Sequence, residues 1–239
     1  MESLKKQAAQ RALKYLKDGM ILGLGSGSTT EIFIELLADR LKNGLIKNIL
    51  AVPTSRKTET LARRLGISLT TLSQYSGLDL TVDGADQVDK NLNLIKGLGH
   101  ALTREKIVEI HAKKLLIVVD ESKLTKKLGI NCPLPIEIVP FGVEAQLSWL
   151  KKLGCKPEVF ELNGKPMKSD NGGYLIHCFF SNGIKDPYKL AGILDARPGI
   201  VEHGLFLDMA NIVLVAGKNG VKELKHRRME FSRNMPKTL

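Results

Sequence analysis

Met20-Ile21-Leu22-Gly23-Leu24-Gly25-Ser26-Gly27-Ser28-Thr29 is the stretch on which the fold turns. Its first half is a short apolar run of strand type, and its second half is glycine and hydroxyl residues. Beyond it, Ile32, Phe33, Leu36, Leu37 and Leu41 recur at helical spacing. A strand that runs through a glycine-rich turn into a helix is a building unit of parallel α/β sheets. Glycines let the backbone approach a bound anion, and a helix N-terminus offers free N–H groups with a positive dipole end. Ser26, Ser28 and Thr29 add hydroxyl donors, which suits a phosphate. The competing dinucleotide fingerprint fails in register, because its last glycine position falls on Ser28 or on Thr30. The next strand ends in Val52-Pro53-Thr54-Ser55, where a ribose-binding acid would be expected.

Working outward, Leu4, Ala8, Ala12 and Leu16 mark an amphipathic helix over residues 3–17, ended by Asp18-Gly19. Downstream, strands at 49–52, 78–82 and 115–119 alternate with helices, one of them over residues 102–112. That rhythm favours a parallel sheet covered on both faces. After Pro133 and Pro135 it changes to strand 136–139, helix 143–153, strands 158–162 and 174–180, helix 187–195 and strand 200–206. This order is β-α-β-β-α-β, the split βαβ arrangement. The run 212–216 reads as one more buried strand returning to the first sheet. The expected fold is therefore α/β. A Rossmann-like parallel-sheet domain (residues 1–130 and 207–239) carries an inserted, smaller split-βαβ, ferredoxin-like α+β domain (residues 131–206).

Composition narrows the class. The chain has 239 residues, 43% of them hydrophobic and 26% charged, which is ordinary globular usage. No apolar stretch approaches the roughly 18 residues of a membrane helix. The N-terminal residues lack the apolar core of a signal peptide. Cys132, Cys155 and Cys178 are far apart and without ligand spacing, which argues against a disulfide framework or a zinc cluster and predicts a cytoplasmic protein. The formal net charge of +11 allows either nucleic-acid binding or attraction of a small anion. The densest basic block, Lys222–Arg228 followed by Arg233 and Lys237, reads as a solvated tail.

Two further segments carry chemistry. Asp83-Gly84-Ala85-Asp86 ends an apolar strand, the place where open α/β sheets bind ligands. Its carboxylates could hold sugar hydroxyls, assist ring opening or simply cap a turn. In Lys96-Gly97-Leu98-Gly99-His100-Ala101-Leu102-Thr103-Arg104-Glu105-Lys106, a glycine-flanked lysine precedes a helix and could meet a developing oxyanion. Glu105 falls early in that helix, where an acid ordinarily complements the dipole. His100 is a further acid–base candidate, and the other histidines show no spacing that recruits them as partners or metal ligands.

Taken together and in order, these segments resemble the ribose-5-phosphate isomerase A family. Its G-x-G-S-T loop is matched by Gly25 to Thr29, its D-G-A-D-E motif by Asp83 to Gln87, its K-G-G-G-A-A-L-T-R-E-K segment by Lys96 to Lys106, and its S-K pair by Ser122-Lys123. Leu134-Pro135-Ile136-Glu137-Ile138-Val139-Pro140 is similar to the start of the family's small domain. Three positions depart from the pattern: Gln87 for Glu, Leu98 for the middle Gly, and His100 for a small residue. The resemblance implies interconversion of ribose 5-phosphate and ribulose 5-phosphate through an enediolate, with Glu105 as base. It places Lys96, with the backbone of Gly97, Leu98 and Gly99, at the substrate oxygen. Asp83, Gly84, Ala85 and Asp86 contact the sugar, with the two acids helping to open its ring. Ser26, Gly27, Ser28, Thr29 and Lys123 are implied as substrate contacts, the phosphate lying near them, and Lys5 as a further basic contact. It implies no metal and no organic cofactor, a homodimer or homotetramer, and neither nucleic acid nor membrane as partner. The alternative is a non-catalytic sugar-phosphate sensor of the same fold.

Overall fold

The computed structural model describes residues 2–225. The basic positions after Lys225, among them Arg227, Arg228, Arg233 and Lys237, lie outside the described residues. Along the chain come α1 (Glu2–Ala12), β1 (Ile21–Leu24), α2 (Ser28–Lys42), β2 (Leu50–Pro53), α3 (Arg56–Arg64) and β3 (Leu80–Asp83). There follow β4 (Gln87–Val88), β5 (Leu94–Ile95), α4 (Leu102–Ile110), β6 (Leu115–Asp120), β7 (Leu134–Ile138), α5 (Val143–Lys151) and β8 (Lys156–Val159). The remainder is β9 (Glu161–Leu162), β10 (Lys165–Pro166), β11 (Tyr174–Phe179), α6 (Pro187–Asp195), β12 (Ile200–His203), β13 (Leu205–Phe206), β14 (Ile212–Gly217) and β15 (Gly220–Lys225).

The main sheet has the order β15-β14-β6-β3-β1-β2. Its strands are parallel except β15, which runs antiparallel to β14. Because β2 lies on one side of β1 and β3 on the other, the chain winds outward in opposite directions from β1. That leaves a crevice at the C-terminal ends of β1 and β3, where the Gly25 loop and Asp83 emerge. Ala8, Ala9 and Ala12 of α1 and Phe33, Ile34 and Leu37 of α2 pack in one core layer with Leu22, Leu24, Val82 and Leu116. A second layer joins Leu94, Leu102, Leu115, Ile117 and Phe206.

The smaller sheet is antiparallel, in the order β12-β7-β11-β8. Numbered within its own β-α-β-β-α-β run, this is the 4-1-3-2 order of the ferredoxin-like arrangement. Ile136, Ile138, Ile176 and Cys178 meet Leu150 of α5 and Leu194 of α6 in its core. The fold is thus α/β, a Rossmann-like parallel sheet with a smaller ferredoxin-like unit. No helix among the described residues is long and apolar enough to cross a membrane.

Three expected elements are corrected. The run 200–206 is two strands, β12 in the small sheet and β13 paired with β5. Gly204 divides them because it is wedged between backbones: a Cβ there would lie 2.3 Å from the Lys96 carbonyl oxygen. Its own N–H donates to Pro135 O, and its carbonyl accepts from Lys96 N. The run 158–162 likewise divides at Phe160, into β8 and the short hairpin strand β9. Lys222 to Lys225 belong to β15, so the first part of the supposed tail is an edge strand. Its partly buried Val221 and Leu224 pack against the two core layers, which no solvated segment would do.

Candidate active site

At the sheet's crevice lies a cleft of about 260 Å³, room for one small metabolite. The loop after β1 is locked to the end of β3. Ser26 N donates to Asp83 Oδ1 at 3.0 Å, and a Cβ on Gly25 would fall 2.1 Å from the Asp83 carboxyl carbon. Only glycine lets the two chains meet so closely. The Ser26 hydroxyl, expected at the anion, instead bonds Thr54, Ser55 and Thr58. Those three hydroxyls hold the loop from β2 and α3, so Ser26 meets the cleft without a free hydroxyl to spend there. Ser28 begins α2 and accepts from Lys5 Nζ at 2.7 Å. Gly27, Ser28, Thr29, Lys5 and Lys123 all line the cleft. This gathers two cations with the N-terminus of a 15-residue helix, an arrangement suited to a phosphate.

The cleft reaches a buried charge cluster. Lys96 Nζ donates to Gly84 O at 2.7 Å. It also lies 3.1 Å from Asp83 Oδ2, 3.4 Å from Glu105 Oε2 and 3.3 Å from Glu109 Oε1. Burial works to lower the Lys96 pKa, but Asp83, Glu105 and Glu109 outweigh it and hold it well above the usual lysine range. Burial pushes Glu105 up to about 8; Lys96 opposes the rise, while Asp83 and Asp86 add to it. Glu105 and Lys96 line the cleft. Asp83 is fully buried and does not. Its Oδ1 accepts from Ser26 N and Gly84 N, and its Oδ2 faces Lys96, so it reaches the cleft only through that ammonium.

Asp86 does line the cleft, together with Gly84 and Ala85. Its Oδ2 takes the Leu98 N–H at 2.9 Å, which commits that amide to the acid rather than to a substrate oxygen. Burial raises the Asp86 pKa, against the lowering by the Leu98 N–H and Lys96. Gly97, Leu98 and Gly99 all border the cleft, and the Leu98 side chain packs against the core of the small sheet. His100 turns away: it adopts φ +69° and stacks on Phe160, ring centroids 4.4 Å apart. Gln87, the other departure, binds the 129–130 backbone, accepting from Gly129 N and donating to Ile130 O.

The helix that carries Glu105 is tied to the small unit on both sides of that residue. Thr103 Oγ1 donates to Glu137 Oε2 at 2.5 Å, and Ser169 Oγ donates to Glu137 Oε1 at 2.5 Å. Arg104 donates to Asn171 Oδ1 and Asp170 O. Lys106 Nζ donates to Glu202 Oε1 and His203 O. Neither Glu109 nor Glu137 was singled out by motif reading. For Glu109 a signal existed: Leu102, Glu105, Val108 and Glu109 recur on one face, and that face is the buried one.

Among the described residues, Asp195, Glu202 and His203 are the one set of side chains whose donor atoms gather closely enough for a metal ion. The hydrogen bonds argue against that use. His203 Nδ1 accepts from Leu205 N, which leaves the proton on Nε2, facing Asp195 Oδ1 at 3.1 Å. Glu202 is already neutralised by Lys106.

A doubly wound sheet whose crevice combines an anion-suited helix terminus, a buried ammonium and a carboxylate whose pKa burial raises defines an acid–base catalyst for a small anionic substrate. The family profile described as ribose 5-phosphate isomerase A (phosphoriboisomerase A) matches residues 50–220. Ribose-5-phosphate isomerase A of Desulfatibacillum aliphaticivorans is 46% identical over 225 residues, covering 94% of this chain and 97% of the relative. Ribose 5-phosphate isomerase from Plasmodium falciparum superposes with a TM-score of 0.92 at 40% identity, covering 95% of this chain and 100% of the other. A D-ribose-5-phosphate isomerase in complex with phospho-erythronic acid gives 0.90 at 43% identity, covering 94% and 98%. The chain belongs to the ribose-5-phosphate isomerase A family.

Proposed function

We infer that the chain is an aldose–ketose isomerase that interconverts ribose 5-phosphate and ribulose 5-phosphate, a step of the non-oxidative pentose phosphate pathway. The observation that carries the chemistry is Glu105: a buried carboxylate, open to a phosphate-suited cleft and 3.4 Å from a buried ammonium. Glu105 takes the proton from C2 of the open-chain aldose and returns it to C1. Lys96 faces the oxygen on which the enediolate charge develops. Asp86, on the cleft wall with a raised pKa, contacts the sugar and passes the proton needed for ring opening. Asp83 holds Lys96 in place. Lys5, Lys123 and the start of α2 bind the phosphate, fixing the carbons at a set distance from Glu105.

The sensor alternative gains no support, because the matched relatives bear enzyme names. We place the enzyme in the cytoplasm as a homodimer or homotetramer built from residues 1–130 with 207–239 and an inserted 131–206. Exposed Val139, Phe141 and Val201, beside the open edge of the small sheet, support assembly there.

Turnover of ribulose 5-phosphate in D₂O tests the reading, with deuterium expected at C2 of the aldose. Glu105→Gln should lose about 10²- to 10⁴-fold in turnover yet still bind phospho-erythronate, whose carboxylate resembles the enediolate in charge. A Gln variant within about tenfold of wild type, or turnover with no solvent deuterium at C2 even at long times, would remove Glu105 from the role.

A further inference from the structure

Three carboxylates surround the Lys96 ammonium, and the reaction above uses only one of them directly. Asp83, Glu105 and Glu109 are each at most 3% exposed. An ammonium has three N–H donors, and one goes to Gly84 O. Two remain for three acids. With all three ionised, the cluster would hold two uncompensated negative charges away from water, which is prohibitive. Lys106, on the same helix, offers Glu109 only a weaker attraction, because it is engaged by Glu202 and His203 O. Phe206 of β13 presents only a ring face to Lys96, 5.4 Å from its centroid.

The acids differ in what stabilises a charge. Asp83 Oδ1 receives two backbone N–H groups, from Ser26 and Gly84. Glu105 opens on the cleft. Glu109 has neither advantage: no donor hydrogen-bonds either of its oxygens, and it does not line the cleft. Burial raises its pKa well above the usual carboxylate range; Lys96 opposes this, while neighbouring Asp83 and Glu105 add to it.

We propose that Glu109 is a positioning residue that works as a neutral carboxylic acid, donating an O–H hydrogen bond to the Asp83 carboxylate while keeping its proton, and leaving Glu105 as the carboxylate around Lys96 that exchanges protons with the cleft. The role rests on the isomerase reading above. With Glu109 neutral, Asp83 and Lys96 balance each other, and Glu105 is left free to exchange its proton with the cleft. Ionised Glu109, one helical turn further along α4, would hold that proton on Glu105 by like-charge repulsion and blunt the base.

Two measurements test this. In isotope-edited infrared spectra of ligand-free protein, Glu105→Gln should keep the carbonyl band of a protonated glutamic acid up to about pH 9, well beyond the ordinary Glu range. The Glu105→Gln/Glu109→Gln double variant should lack it. No such band in Glu105→Gln alone overturns the proposal, even if the double variant does not fold. In kinetics, Glu109→Gln keeps the neutral charge, so the rising limb of its pH profile should stay within about 0.3 units of wild type. A fall of about one unit or more would mean that a negative charge had been removed and that Glu109 is ionised. The infrared result needs no turnover, so it stands or falls apart from the isomerase assignment.

Discussion

Thr103 and Glu137 are joined by a 2.5 Å hydrogen bond that ties the first turn of α4 to the small antiparallel sheet, two residues ahead of Glu105. Glu137 is buried and takes its second hydrogen bond from Ser169, in the turn whose next residues receive Arg104. With Lys106 held by Glu202 and His203 O, the small unit fixes the rotation of the helix that aims Glu105 at the cleft.

Glu137→Ala should therefore cut kcat by about tenfold or more, with a stability loss of about 1–3 kcal/mol from the hydroxyls left unpaired. Glu137→Gln, which keeps an acceptor for one hydroxyl, should lie between. Phosphate-dependent KM should change little, because Lys5 on α1, Lys123 after β6 and the start of α2 are carried by the main-sheet unit rather than by the small sheet that holds Glu137. Steady-state kinetics on both variants check this; a KM rise matching the kcat loss would place Glu137 in substrate binding instead.

The raised pKa of Glu105 fixes the sign of the activity profile. The base must be ionised in the free enzyme, so kcat/KM should climb with pH to a midpoint near the value of about 8. The substrate phosphate contributes its own ionisation near about 6, and a phosphonate analogue separates the two. A profile flat from about pH 6 upward would contradict the burial argument.

The same shift predicts a stability cost. Because the folded-state pKa is raised, the wild-type contribution is fully present below the unfolded Glu value and is lost as pH rises through about 8. Gln does not titrate. Glu105→Gln should thus gain stability over wild type as pH increases from about 4 to 8, by an amount on the order of a few kcal/mol. Denaturant midpoints at both ends of that range measure it, and a constant difference would refute it.

Lys123→Ala and Lys5→Ala should each weaken inorganic phosphate and phosphorylated sugars alike, with kcat at saturation little changed. Lys5 comes from α1 and bonds Ser28, so its removal should also loosen the start of α2. Isothermal titration with phosphate checks both. Equal losses for an unphosphorylated sugar would move the anion site elsewhere.

Local pattern carried much of this protein. The strand, glycine loop and helix at Met20–Leu41, the acid pair closing β3, and the lysine loop leading into α4 were each legible as motifs, because period and turn chemistry are local properties. So were the β-α-β-β-α-β order and the placing of Glu105 early in a helix. What remained hidden was decided by approach between distant segments. Sequence could not show that Asp83 lies behind Lys96 rather than in the cleft, that the Ser26 hydroxyl turns to Thr54, Ser55 and Thr58, or that Gly204 splits a continuous apolar run. Nor could it show that Glu109, an ordinary-looking helix glutamate, faces the same ammonium as Glu105. Residue type and spacing set which groups are available. Their charge states depend on burial and on the neighbours that β3, the lysine loop and α4 bring within about 4 Å of one another, a distance at which a charge decides the protonation of the next.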